Sequence, residues 1–327
     1  MPAVVVQQAY AVKWLIYRKI GAVPKRLVII LGPTAVGKTD YSIETALRYG
    51  SPVISCDSRQ IYREMSIGTA VPSKEQLDAV RHYFIHSHTV TELYTAGKYE
   101  LEALGLINRL FNEGHDTLVM AGGSGFYVDA LVNGLDEFPE ADLQLRAELT
   151  ERLKSEGVDS LRQELRRLDP ESYSTMDIAN GQRVVRALEV CLMTGKPFSS
   201  FKTSPNRKRD FEIEKIGLTR PRDVLYDRIN RRVLQMIYDG LVDEVRSLIK
   251  YRDLAALKTV GYKEIFDWFD YQDGLVSTEG WGPTSPGDGP VTSLERAIEL
   301  IQRNTRHYAK RQLSYWGRDK SIVWKEL

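Results

Sequence analysis

The glycine-rich segment at residues 32–39 (GPTAVGKT) has the residue types and spacing of a phosphate-binding loop. Gly32 and Gly37 let the backbone turn its N–H groups toward an anion, and the start of the following helix adds partial positive charge. Lys38 brings a full positive charge, and Thr39 offers a hydroxyl ligand to Mg²⁺. The segment therefore predicts a site for a phosphate chain, with Mg²⁺ as the cofactor.

A carboxylate follows the second apolar segment of the chain. Asp57 begins the motif DSRQIY, directly after residues 51–56. Because strand ends and helix starts gather around the ligand in α/β sheets, we expect Asp57 to face the phosphate-binding loop. There it would bind Mg²⁺ indirectly or accept a proton from an attacking nucleophile. A helix N-cap is the alternative role, and the two roles are compatible.

Further side chains have types that suit a phosphorylated ligand. Ser124 lies among glycines in the motif GGSGFY, so its hydroxyl can approach a ligand closely, although the same motif could form an ordinary turn. Arg222 and Arg228 belong to one helical segment, and their guanidinium groups suit the charge of a departing diphosphate. Arg231 and Arg232 are assigned to the solvated face of that segment.

The composition excludes several classes of protein. The 327 residues include 45 Lys and Arg against 44 Asp and Glu, so RNA binding would need a local basic patch. Residues 202–209 and the pair Lys310 and Arg311 are candidates for such a patch or for a solvated surface. Two cysteines are too few for a disulfide framework, which favours a reducing cytoplasm. No apolar run approaches the length of a membrane span.

Short apolar segments alternate with helical ones along the first part of the chain. Residues 27–31, 51–56 and 116–121 are each bounded by glycine or turn residues and predict buried strands, and residues 212–218 predict another. This alternation is typical of a parallel sheet. The predicted fold is therefore α/β: a P-loop NTPase-like parallel sheet flanked by helices, with an inserted all-helical domain and a helical C-terminal region.

Changes in local composition and hydrophobic periodicity predict the domain boundaries. Residues 1–26 contain basic side chains and no acid, and are interpreted as a non-functional N-terminal extension rather than a targeting segment. Residues 27–137 and 206–327 form the predicted catalytic core. Residues 138–205 form the predicted helical insertion, because residues 142–167 are strongly charged and helix-periodic. Residues 274–290, rich in Gly, Pro, Ser and Thr, predict a flexible loop.

Several motifs, in this order, resemble the bacterial tRNA dimethylallyltransferases from residue 27 through nearly the whole chain. They are GPTAVGKT, DSRQIY, GGSGFY, QRVVRALEV at residue 182, GYKE at residue 261 and RHYAKRQ at residue 306. An ordered set of motifs is far more specific than a phosphate-binding loop alone. The family commonly has threonine at the position of Ser124, so this chain keeps the hydroxyl and lacks a methyl group.

The resemblance implies a substrate, partners and a role for each residue. Dimethylallyl diphosphate would occupy the loop in place of ATP, and the acceptor would be the N6 amine of the adenosine next to the anticodon of a tRNA. The resemblance implies that Asp57 hydrogen-bonds or deprotonates the N6 amine, that Ser124 binds the bridging oxygen, and that Arg222 and Arg228 bind the diphosphate. The implied diphosphate-binding residues are Gly32, Pro33, Thr34, Ala35, Val36, Gly37, Lys38 and Thr39, and Mg²⁺ is held through Thr39.

The implied RNA contacts lie in four regions, and the helical insertion would hold the anticodon stem-loop. The residues are Asp57, Ser58, Arg59, Gln60, Ser124, Gln182, Arg183, Val184, Val185, Arg186, Lys310 and Arg311. The acceptor base would have to leave its stack to reach the donor. The resemblance also implies a monomer without a membrane partner.

Three other functions fit parts of the sequence. An ATP-dependent kinase of a small molecule or nucleotide would use the same loop, but the second acid of such enzymes is missing where the third strand ends. An adenylate isopentenyltransferase would need no RNA-binding insertion. An RNA-binding module without catalysis would leave the loop unexplained.

Overall fold

The computed structural model describes residues 24–203, 207–275 and 289–327. The predicted extension at residues 1–26 and the predicted loop at 274–290 lie mostly outside these ranges. By the contacts between its residues the chain divides into two compact units, one of them Asn133–Lys208 and the other the rest of the chain.

The described residues form six strands and twelve α-helices. The strands are β1 (Arg26–Leu31), β2 (Val53–Ser55), β3 (His82–Tyr83), β4 (Thr117–Ala121), β5 (Glu212–Thr219) and β6 (Ile322–Glu326). The first six helices are α1 (Lys38–Tyr49), α2 (Lys74–Ala79), α3 (Ala96–Asn112), α4 (Gly125–Asn133), α5 (Leu143–Ser155) and α6 (Val158–Leu168). The others are α7 (Pro170–Thr175), α8 (Gly181–Thr194), α9 (Arg222–Tyr238), α10 (Leu241–Ser247), α11 (Tyr262–Gln272) and α12 (Leu294–Trp316).

All six strands are parallel and lie in one sheet in the order β3, β2, β4, β1, β5, β6. Strand β1 is buried on both faces because its side chains alternate between two cores. Leu27 and Ile29 belong to one core, and Val28 belongs to the other. A parallel sheet with both faces covered requires such an uninterrupted apolar run. The predicted P-loop NTPase-like fold class is thereby confirmed.

The sheet has two edge strands that the sequence analysis did not predict. Strand β3 has only two residues, and β6 follows the long helix α12 in a region predicted to be helical. Neither strand has the continuous apolar run of β1. Edge strands are half exposed, so their sequences carry a weaker signal than those of central strands.

The smaller unit is helical and has its own core. The predicted helix at residues 142–167 is two helices, α5 and α6, which are separated at Gly157, where the backbone φ is 78°. Asn180 caps α8 by accepting a hydrogen bond from the Arg183 N–H. The core side chains include Leu149, Leu161, Leu165, Val184, Val185 and Leu188.

The order of the strands places the chemically important segments side by side. Strands β2, β4 and β1 are neighbours, and the segments that follow them contain Asp57, Ser124 and the phosphate-binding loop. Because the carboxyl ends of parallel strands meet at one edge of the sheet, these segments converge there. Within the described ranges, no helix is both long and apolar enough to cross a membrane.

Candidate active site

The phosphate-binding loop joins β1 to α1 and depends on two glycines. Gly32 has φ 144°, and a Cβ atom there would lie 2.6 Å from the Leu218 carbonyl oxygen. Gly37 has φ 111° and forms the N-cap of α1. A side chain at either position would be strained, because L-residues rarely adopt these backbone angles. The loop thus has the geometry that its glycines predict.

Lys38 folds back over the loop. Its Nζ donates hydrogen bonds to the carbonyl oxygens of Gly32 and Pro33, at 3.0 and 2.9 Å. Burial lowers the pKa of Lys38 to about 8; the Asp57 carboxylate opposes this shift, and the Arg232 guanidinium adds to it. The charge of Lys38 is therefore affected by both the Asp57 carboxylate and the Arg232 guanidinium.

The loop opens into a cavity of about 470 Å³. Its walls include Thr34, Ala35, Gly37, Lys38 and Thr39, together with Asp57 and Gln60. The other predicted loop residues have structural positions: Val36 is fully buried, and the carbonyl oxygens of Gly32 and Pro33 bind Lys38. The cavity is thus lined by loop atoms on one side and by the DSRQIY segment on another.

Three side chains from distant positions hold the loop. Arg220 Nε donates to the Val36 carbonyl oxygen and Arg228 Nε donates to the Ala35 carbonyl oxygen, each at 2.8 Å. Gln312 Oε1 accepts the Thr34 N–H. The sequence analysis assigned no role to Arg220. Gln312 ends the motif RHYAKRQ, which was its only sequence signal.

Asp57 lies in the cavity wall and also caps the segment that follows it. Its Oδ1 accepts hydrogen bonds from the N–H groups of Arg59 and Gln60, at 2.8 and 3.3 Å. No hydrogen bond to Oδ2 is found among the described residues. The capping role and the cavity position therefore occur together, and Oδ2 is available to a ligand.

Ser124 is linked to the segment after Asp57. Its hydroxyl accepts the Ser58 N–H at 2.8 Å and donates to Ser58 Oγ at 3.0 Å. Gly122 makes this approach possible, because a Cβ atom there would lie 2.6 Å from the Cys56 backbone. The structure thus brings Ser124 into contact with Ser58, the residue that follows Asp57 in the chain.

The arginines of α9 differ in position. Arg228 and Arg232 lie one helical turn apart and both line the cavity. Burial lowers the pKa of Arg232, while the nearby Asp57 carboxylate raises it. The assignment of Arg232 to the solvated face was wrong, and its spacing from Arg228 was the signal that could have corrected it. Arg222 is exposed, its guanidinium lies 5.1 Å from the Tyr226 ring centroid, and it lines none of the three described cavities.

A second, smaller cavity of about 250 Å³ adjoins the first. The two cavities share wall residues, among them Thr34, Asp57, Arg232 and Tyr308. The rest of its wall has an apolar side formed by Ile229, Val233, Met236, Val260 and Ile301, together with polar residues that include Ser58, Arg59, Thr259 and Thr305. The sequence analysis did not predict this cavity, because its apolar residues come from separate helices and loops.

A third cavity of about 470 Å³ is lined by Ser58, Ser124 and aromatic side chains. Arg311 belongs to its wall, and the Arg311 guanidinium lies 5.9 Å from the Tyr308 ring centroid. Lys310 is exposed on the same helix. Arg59 lines the second cavity. The predicted RNA-contacting residues of the larger unit thus lie in or near the cavity walls.

The predicted RNA-contacting residues of α8 fall into three groups: exposed residues, buried residues and one ion-paired arginine. Gln182 and Arg183 are exposed. Val184 and Val185 are 0% and 2% exposed and pack in the core of the helical unit. Arg186 forms an ion pair with the buried Glu189 at 3.0 Å. The burial of the two valines gives their side chains a packing role, so RNA contact remains a prediction mainly for Gln182 and Arg183.

The described residues contain no group of three or more His, Cys, Asp or Glu side chains that could hold a metal ion. The Thr39 side chain borders the first cavity, as does Asp57. Mg²⁺ commonly uses one or two protein ligands together with phosphate oxygens and water. The oxygen atoms of Thr39 and Asp57 suit a Mg²⁺ ion that binds together with a phosphorylated ligand.

Comparisons with known proteins agree with one another. The IPP transferase family model matches residues 60–319. The chain is 44% identical over 298 residues to tRNA dimethylallyltransferase 1 of Bacteroides thetaiotaomicron, covering 91% of this chain and 90% of the relative. It is 44% identical over 301 residues to the tRNA dimethylallyltransferase of Christiangramia forsetii, covering 92% and 93%. The crystal structure of a full-length tRNA isopentenylpyrophosphate transferase from Bacillus halodurans is similar, with a TM-score of 0.63 and 37% identity over 92% of this chain and 90% of that one.

Proposed function

This chain belongs to the IPP transferase family, and we propose on this premise that it transfers a dimethylallyl group from dimethylallyl diphosphate to tRNA. The acceptor is the N6 amine of the adenosine next to the anticodon, and the products are the prenylated tRNA and diphosphate. The C–O bond of the donor breaks, a C–N bond forms, and the N6 amine loses one proton.

The observation that carries the proposal is the junction of two unlike cavities. The first contains the phosphate-binding loop, Lys38 and Arg228, whereas the second has an apolar side that includes Ile229 and Val233, next to polar residues such as Asp57 and Arg59. A short prenyl diphosphate has the same division between a charged end and an apolar end. ATP would place a polar ribose and base beyond its phosphates, against the apolar side of the second cavity, where they would lose hydrogen bonds to water.

Three cations are placed to stabilise the leaving group. Lys38, Arg228 and Arg232 all line the first cavity. As the allylic C–O bond breaks, negative charge accumulates on the diphosphate and the allylic carbon becomes cation-like. Donors that are already oriented toward that charge lower the barrier without further reorganisation. Bound Mg²⁺, held by Thr39 and by the diphosphate itself, would add a Lewis acid to the same charge.

Asp57 is placed to accept the proton of the acceptor amine. Its Oδ1 is held by backbone N–H groups, which fixes the carboxylate and leaves Oδ2 without a hydrogen bond from the described residues. The Ser124 hydroxyl lines the third cavity and donates to Ser58, so the proposed contact with the bridging oxygen of the donor requires that its proton turn from Ser58 toward the donor. Carboxylates positioned in this way are efficient proton acceptors when they lie within hydrogen-bond reach of the reacting group.

The RNA contacts are proposed for exposed basic and polar residues. Gln182 and Arg183 would contact the anticodon stem-loop through the helical unit, and Lys310 and Arg311 would contact it near the cavities. We further propose a monomer that acts in the cytoplasm, which is consistent with the free thiols of Cys56 and Cys191.

Mass spectrometry of an anticodon stem-loop tests the function directly. The RNA is incubated with the protein, Mg²⁺ and dimethylallyl diphosphate, and ATP serves as the control donor. A mass gain of one prenyl group on the adenosine is expected with the first donor and no change with ATP. Phosphate transfer from ATP without prenyl transfer would overturn the proposal in favour of a kinase.

A further inference from the structure

Glu244 accepts hydrogen bonds from a short backbone segment, residues 66–68, that borders the candidate active site. Its Oε2 accepts the N–H groups of Ser66 and Ile67 at 2.9 and 2.7 Å, and its Oε1 accepts the Gly68 N–H at 3.0 Å. The Tyr262 hydroxyl donates to the same Oε1 at 2.6 Å. One carboxylate of α10 thus satisfies three successive backbone donors and is itself held by a phenol.

The segment at residues 66–70 has little room to move. A Cβ atom on Gly68 would lie 2.5 Å from the Tyr262 ring, so the backbone rests directly on that ring. Ala70 has φ 52°, which is unfavourable for a residue with a side chain. Gln60 Nε2 donates to the carbonyl oxygens of Thr69 and Ala70, at 3.2 and 2.9 Å. The segment is therefore fixed from both sides.

This segment is a wall of the cavities in which the donor is proposed to bind. Thr69 and Ala70 line both the first and the second cavity, and Gly68 lines the second. The second is called the apolar cavity below, after its apolar side. Glu244 is absent from the walls of all three described cavities. Any effect of Glu244 on a ligand in these cavities would therefore pass through the segment that it holds.

We propose that Glu244 is a positioning residue that fixes residues 66–70 as a rigid wall of the apolar cavity and so limits the donor to a short prenyl chain. The inference rests on the proposed function, because it assumes a prenyl diphosphate in the joined cavities. Residues 68–70 form part of the wall of this cavity, and a wall that Glu244 and Gln60 hold in place does not yield to a longer chain. A wall that can shift would admit one.

The experiment compares the Kd values of dimethylallyl and geranyl diphosphate, measured by calorimetry with Mg²⁺ on the full chain and its Glu244→Gln variant. The amide turns an N–H donor toward backbone N–H groups, so it cannot satisfy all three. We expect the affinity for geranyl diphosphate relative to dimethylallyl diphosphate to rise about tenfold or more in the variant. An unchanged ratio would overturn the inference.

Glu64→Gln is the matched control. Glu64 also accepts hydrogen bonds from a loop, from the Thr89 hydroxyl and the Val90 N–H, but it lines none of the described cavities and its loop does not either. A merely structural loss should affect both variants alike and weaken both donors equally. We expect the ratio of the two Kd values to stay at its wild-type level in Glu64→Gln; an equal shift in both variants would count against a special role for Glu244.

If Glu244→Gln does not fold, Tyr262→Phe tests whether Glu244 fixes the wall of the cavity. It removes the hydroxyl that holds Glu244 and keeps the ring beneath Gly68. We therefore expect a smaller change in the Kd ratio, of the same sign as in Glu244→Gln. An unchanged Kd ratio in Tyr262→Phe would contradict the inference. Prenyl transfer to an anticodon stem-loop is measured in parallel. Absence of transfer by the wild-type protein would remove the proposed function, whereas the Kd ratio would still decide the role of the wall.

Discussion

Gln312 joins two segments of the candidate active site, because its Oε1 accepts the Thr34 N–H at 2.9 Å while its Nε2 donates to the Gly123 carbonyl oxygen at 3.0 Å. Gln312 lies on α12 and is 6% exposed. One buried amide therefore sets the distance between the phosphate-binding loop and the turn that contains Ser124.

Replacing Gln312 by Leu should weaken both stability and donor binding. The change leaves the Thr34 N–H and the Gly123 carbonyl oxygen without their partner, at a cost of about 1–3 kcal/mol for each buried group that water cannot reach. Urea denaturation measures the loss of stability, and calorimetry measures the Kd of dimethylallyl diphosphate. Wild-type stability and Kd in Gln312→Leu would contradict the bridging role.

Asp57→Asn separates the two roles of this residue. The amide oxygen can still accept the N–H groups of Arg59 and Gln60, but the side chain no longer accepts a proton. We expect single-turnover prenyl transfer to fall about 10²- to 10⁴-fold with tRNA binding largely unchanged. Asp57→Ala should lose the same activity and, in addition, about 1 kcal/mol of stability through the lost cap. Normal transfer by Asp57→Asn would exclude Asp57 as the proton acceptor.

The arginines of α9 provide an internal comparison. Arg228→Ala and Arg232→Ala should each slow transfer about 10²-fold, because both guanidinium groups line the cavity in which the diphosphate is proposed to lie. Arg222→Ala is the matched control on the same helix, and its exposed position predicts nearly wild-type transfer. Single-turnover kinetics with saturating donor measures all three. A loss in Arg222→Ala as large as in the others would support the role that the family resemblance implies for it.

The pH dependence of donor binding should report the charge of Lys38. Its pKa is lowered to about 8, chiefly by burial, so in the free protein Lys38 is charged below that pH and neutral above it. A diphosphate binds the charged form, so donor affinity should fall as pH rises through 8, approaching about tenfold per pH unit. Calorimetry between pH 7 and 9.5 measures this. Lys38→Met should bind more weakly at every pH and show a flat profile; a flat profile in the wild type would contradict the assignment.

The sequence allowed the fold class and much of the candidate site to be predicted. The predicted strand at residues 27–31 matches β1 within one residue, because an uninterrupted apolar run has few alternatives to a buried strand. Strand β6 was missed, since it is half exposed and follows a long helix. Arg232 was misassigned because a charge run by itself does not show which face of a helix is buried.

The sequence by itself determined the phosphate-binding loop, the acid after β2 and the hydroxyl in GGSGFY, since glycine spacing and apolar runs act within a few residues of chain. Only the tertiary structure decided what these segments face. The second cavity, the Gln312 bridge and the Glu244 contact to residues 66–68 each join positions that are far apart in sequence. Such contacts arise because parallel strands pair out of chain order and distant helices pack over their ends, and no local pattern encodes that arrangement.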